Sequence, residues 1–133
     1  PKAYLAACLL QLQHHDKAQQ HCQEAIQLAK TADDQYGLFM AQRTRAEILT
    51  ILNKSPGAAE NAIRDAISLQ RKVGAKPELA RSYVSYAQIL SSWNKYDDAR
   101  EYFELALELF EQLQMDWDLL ELNKRFPLNQ LAS

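Results

Sequence analysis

The sequence predicts an all-α protein, a right-handed solenoid of stacked helix pairs, and three observations predict it. First, one pattern is written three times: Ala18-x3-Cys22-x2-Ala25, Ala59-x3-Ile63-x2-Ala66 and Ala99-x3-Phe103-x2-Ala106. The starting alanines are 41 and 40 residues apart, and a fixed period of this size marks units that bury a face only against their neighbours. Second, the segments between joints are rich in Ala, Leu, Gln and Glu, all good helix formers, with apolar residues three and four apart. Tyr83, Tyr86, Ala87 and Leu90 show the spacing, as do Ala99, Phe103, Ala106, Leu107 and Phe110. Third, the three glycines and four prolines fall at joints, Gly37 alone excepted.

Each helix follows from these signals in turn. The first spans 2–13 and carries Leu5, Ala6 and Leu9; the second spans 16–31, with Asp16 as its N-cap; the third spans 35–52. Ser55-Pro56 opens a fourth over 56–73, Ser as the cap and Pro at the first helical position, where a missing N–H costs nothing. Arg71-Lys72-Val73-Gly74 closes it, with cations at the negative dipole end and a glycine free to turn left-handed. Pro77 starts a fifth over 78–93, which Asn94 closes, and Asp97 opens a sixth over 97–113. A short last helix over 118–126 stops at Pro127. Its Leu119, Leu120, Leu122 and Phe126 are too many for one buried stripe, so this helix, expected to cap the last unit, either continues into further sequence or pairs with a second copy of the chain. At 133 residues the chain is a single domain, 1–133, with units over 1–33, 34–75 and 76–115. It opens with Pro1 rather than Met and is read as a piece of a longer protein.

Composition removes several functions. A net charge of −2, with acids and bases interleaved, lacks the basic stripe of a nucleic-acid binder. No apolar run approaches the roughly 20 residues that span a bilayer. Cys8 and Cys22 both fall at apolar helix positions, Cys22 in the slot that Ile63 and Phe103 fill later, so both read as buried free thiols in a reducing cytoplasm. His14, His15, Asp16, His21 and Cys22 lack the spacing that fixes a tetrahedral metal site, and a solvated turn is the simpler reading. No metal, cofactor or catalytic residue is expected: there is no Gly-rich phosphate loop, no Gly-x-Ser-x-Gly and no His-Glu-x2-His. Glu101, Glu104, Glu108 and Glu111 read as a solvated face, and Tyr83, Tyr86, Tyr96, Phe103 and Phe110 as core, with Tyr102 exposed.

With the units aligned, the chain resembles tetratricopeptide repeats. The third unit is clearest, with Tyr83, Tyr86-Ala87, Leu90, the turn Asn94-Lys95-Tyr96-Asp97-Asp98-Ala99, then Phe103 and Ala106. The second matches at Ala46, Leu49, Ala59, Ile63 and Ala66, and the first at Leu5-Ala6, Leu9, Ala18, Cys22 and Ala25. The units are longer than the family's usual repeat of about 34 residues, and Glu111 stands where the closing proline would be. Units of this length resemble the arrays of bacterial multidomain signalling proteins, among them ATPases of the maltose-activator kind and cyclases, and those of kinesin light chains.

The resemblance implies a non-enzymatic scaffold that binds a protein or peptide partner, with the first helix of each pair lining a concave groove. The positions carried over are Ala7, Leu10 and Gln11 from the first unit, Met40, Arg43, Glu47 and Thr50 from the second, and Arg81, Val84, Gln88 and Ser91 from the third. Arg43 and Arg81 are the cations expected to meet a partner's carboxylates. The clamp that grips chaperone tails in one branch of the family is missing, since Ala3, Ala7, Arg43, Glu47, Val84 and Gln88 replace its Lys and Asn set. A second function fits the same resemblance: a regulatory or sensor segment of a multidomain enzyme or transcription regulator, relaying ligand binding to an attached domain.

Overall fold

Helix ends leave carbonyls without partners, and in this chain the way those carbonyls are closed sets the joints. The computed structural model describes residues 15–52 and 56–125. They form six helices, α1 (His15–Thr31), α2 (Gln35–Ile51), α3 (Pro56–Val73), α4 (Lys76–Ser92), α5 (Tyr96–Gln112) and α6 (Asp116–Arg125), with no strand among the described residues. The helix expected over 2–13 lies outside them, as does Ser55.

Three joints close alike. After α1 the N–H of Asp34 donates to the Ala29 carbonyl (2.8 Å) and that of Asp33 to Lys30 (3.3 Å). After α4, Lys95 donates to Leu90 (2.9 Å) and Asn94 to Ser91 (3.0 Å); after α5, Met115 donates to Phe110 (3.0 Å) and Gln114 to Glu111 (3.1 Å). This paired arrangement is the Schellman closure, which needs a left-handed residue just past the helix. Asp33, Asn94 and Gln114 supply it with φ of 53°, 63° and 55°. Gly74 turns left-handed after α3 (φ 75°), as the sequence predicted.

Helix starts depart from expectation in four places, the last of them α6, which begins at Asp116 rather than 118. Asp16 lies in the first turn of α1 and is not its N-cap; its carboxylate faces the positive end of the dipole from inside the helix. α4 begins at Lys76, ahead of Pro77, because proline is tolerated within the first turn, where the N–H has no acceptor. α5 begins at Tyr96 with Lys95 at the N-cap, so Asp97 and Asp98 sit in its first turn. Among the described residues Asp34 caps α2 with its side chain, its Oδ1 accepting from the Gly37 N–H at 2.9 Å. A Cβ on Gly37 would collide with that carboxylate, which accounts for a glycine inside a helix.

The chain forms two compact units, residues 1–72 and 73–133. In the first, α1 packs on α2 around the fully buried Ala18, Cys22 and Ile48, flanked by Ile26 and Leu52. Ala59, Ile63 and Ala66 of α3 are buried without residue, so the repeated pattern is a core pattern. In the second unit α4 lies along α5. Ala87, Ala99 and Ala106 have no exposed surface, and the absence of bulk at these sites lets the helices approach while Tyr83, Tyr86, Leu90, Phe103 and Phe110 fill the space around them. Tyr102 is half-buried rather than exposed: its ring lies 4.5 Å from Tyr86 and 5.9 Å from Tyr83, centroid to centroid, so it closes a three-tyrosine stack. Tyr96, expected in the core, is instead exposed, because it opens α5 and its hydroxyl donates to Asn94 Oδ1 in the joint at 2.8 Å. Glu101, Glu104, Glu108 and Glu111 face solvent as expected. α6 rests on α5 and buries Leu122, while Trp117 and Leu120 stay exposed.

Candidate functional site

On α2, Met40, Arg43, Glu47 and Thr50 recur at steps of three, four and three. At 100° per residue they fall within roughly 80° of the helix circumference. All four side chains are partly exposed, whereas Phe39, Ala41, Thr44, Ala46, Ile48 and Leu49 are buried. On α4 the same steps give Arg81, Val84, Gln88 and Ser91, again partly or fully exposed beside the buried Ala80, Ser82, Tyr83, Ser85, Tyr86, Ala87, Ile89 and Leu90. Each helix therefore keeps one strip out of its core, in the same register of the repeat. Ala7, Leu10 and Gln11 lie outside the described residues.

The polar groups on these strips are partly committed. Arg43 Nε lies 3.9 Å from Glu47 Oε1, one helical turn on, a pair of this kind contributing under about 1 kcal/mol. The Thr50 hydroxyl donates to the Ala46 carbonyl at 2.8 Å, leaving its lone pairs open. Arg81 differs from expectation: its Nε reaches Asp118 Oδ1 of α6 at 3.4 Å. It ties the last helix to α4 as well as edging the strip, which makes it a structural contact first. Sequence reasoning missed Asp118, because a first-turn acid looks the same whether or not a distant arginine meets it.

The other predicted chemistry is also placed. Cys22 is a buried free thiol whose S–H donates to the Ala41 carbonyl at 2.9 Å. Burial pushes its pKa up to about 12, with smaller opposing effects of Arg45 and Glu47, so the thiol is protonated at neutral pH. Cys8 and His14 lie outside the described residues. Among the described residues no three His, Cys, Asp or Glu side chains converge on a metal-sized site, and no helix is long and apolar enough to cross a membrane.

The family model for the tetratricopeptide repeat matches residues 41–112, more than half of the chain. No curated protein matches it.

Proposed function

The chain belongs to the tetratricopeptide repeat family, whose repeats mediate protein–protein interaction, and from that premise we propose that it binds protein partners through the exposed strips of its first helices, that of α2 in the first unit and that of α4 in the second. The observation that carries the reading is the matched pair of strips, Met40/Arg43/Glu47/Thr50 and Arg81/Val84/Gln88/Ser91, each left partly or fully exposed at the same positions of two successive repeats. Met40 and Val84 offer small apolar contacts. Arg43, Glu47, Gln88 and the lone pairs of Thr50 and Ser91 offer hydrogen bonds to an extended or helical peptide, or to a neighbouring domain. The role is that of a scaffold and not of an enzyme. The buried, protonated Cys22 suits a reducing cytoplasm.

The test is partner capture by an Arg43→Glu, Gln88→Glu variant. Arg81 is spared because reversing its charge against Asp118 would disturb α6. A cooperative thermal melt verifies that the variant is folded, at a lowered midpoint because Arg43→Glu sets two acids four apart beside Glu47, while capture is lost and added salt weakens the parent's binding. Capture that survives this variant but fails on Glu104→Lys, on the solvated face of α5, overturns the assignment.

A further inference from the structure

The side of α2 turned away from its strip borders a second feature. Leu38 and Gln42 stand about 140° around the helix from the centre of the strip. With Lys30 in the last turn of α1, and Asp65, Leu69 and Lys72 along α3, they line a groove of about 390 Å³ within the first compact unit. That volume falls within the range of about 300–1,000 Å³ that holds small ligands and short peptide segments.

The lining has two parts. Leu38 and Leu69 are half-buried and form an apolar wall. Lys30, Lys72 and Asp65 are exposed, giving the groove a net charge of +1 on a chain whose net charge is −2. Arg43, Arg64, Arg81, Arg100 and Lys124 each have a carboxylate within 4.0 Å, whereas no ion pair engages Lys30 or Lys72 among the described residues. Both stand in the last turn of their helices, where the dipole favours a cation without consuming its donors.

We propose that this groove docks a short, extended, acidic segment of a partner protein. A carboxylate of the segment meets the ammonium groups of Lys30 and Lys72, and an adjacent apolar side chain covers Leu38 and Leu69. Backbone N–H groups supply the donors that the exposed Asp65 carboxylate calls for. The complementarity selects a peptide over a small anion: a phosphate would leave the leucines uncovered and would bring no N–H donors to Asp65. The groove is separate from the strips and does not rest on their assignment.

The experiment is selection of displayed random heptapeptides on the whole chain, on a Lys30→Glu, Lys72→Glu variant and on the Arg43→Glu, Gln88→Glu variant. Both lysines are exposed, and cooperative thermal melts verify that each variant is folded. The parent should enrich peptides with Asp or Glu beside Leu, Ile, Val or Phe. A synthetic copy of the most enriched peptide, followed by fluorescence anisotropy, should bind the lysine variant about tenfold or more weakly and the strip variant unchanged. Its addition should move the methyl resonances of Leu38 and Leu69. Enrichment of no acidic peptide, or equal binding to the lysine variant, overturns the proposal. Loss of binding with the strip variant alone also overturns it, and assigns the peptide to the strips instead.

Discussion

Gln114 holds a left-handed backbone (φ 55°) that costs an ordinary L-residue about 1–2 kcal/mol and glycine nearly nothing. Gln114→Gly should therefore raise the stability of the second unit by about 0.5–1 kcal/mol after the entropy of the unfolded glycine is subtracted, read as a higher urea midpoint. At Asn94 and Gly74 the residue type itself announces the turn; at Gln114 it does not, because nothing in a glutamine marks a positive φ. Gln70 is a second hidden residue. It is fully buried with neither amide atom hydrogen-bonded among the described residues, and Gln70→Met, close in shape without the unmet polar groups, should stabilise the chain by about 1–3 kcal/mol. Cys22 was legible from its place in the repeat, and its burial has a pH consequence. Its folded pKa of about 12 lies above the unfolded value near 9.0, so the thiol's contribution is whole below pH 9 and is lost as pH rises towards 12. Relative to Cys22→Val, the parent should lose about 2 kcal/mol between pH 8 and pH 10.5 in chemical denaturation. A constant difference across that range would contradict the burial.

The helices themselves were largely legible, since their apolar spacing survives any uncertainty at the ends. α3 runs from Pro56 to Val73 as the capping signals indicated, because Pro and Gly act on the backbone directly. Pro77 and Asp97 misled by one or two residues: both are first-turn residues that also serve as start signals, and the backbone groups that decide between the two roles are not in the sequence. The small-residue pattern makes a sharper prediction. Ala99 has no exposed surface where α5 meets α4, so Ala99→Leu should overpack the pair and cost about 1–3 kcal/mol in thermal or urea unfolding. An unchanged midpoint would mean that the two helices do not meet there. The attachment of α6 was not legible, because the Arg81–Asp118 contact spans 37 positions. Arg81→Gln should accelerate amide exchange in α6 while leaving α4 and α5 protected.

For the molecule as a whole, the repeated helix pair was readable from spacing, because a core that repeats must repeat its small and large residues, and the family from the resemblance of the third unit's residue order. The partner was not, because the strips are defined by what the core leaves out, and many side chains satisfy that condition. The groove beside Lys30 and Lys72 is hidden in the sequence for a related reason: its lining comes from three helices, and each lysine alone looks like an ordinary helix-end cation. Self-association through the last helix is the remaining expectation, and burial changes how it is tested. Leu122 belongs to the core, whereas Trp117 and Leu120 are 69% and 54% exposed. Sedimentation should show concentration-dependent association that Leu120→Lys abolishes, and a monomer at every concentration would leave α6 as a simple cap. The central claim, that a partner lies against the first-helix strips, is tested most directly by a photo-reactive side chain placed at Gln88 or, as a control, at Glu104. Cross-linking of the captured partner from position 88 and not from 104 is the predicted result; cross-linking from 104 alone would contradict it.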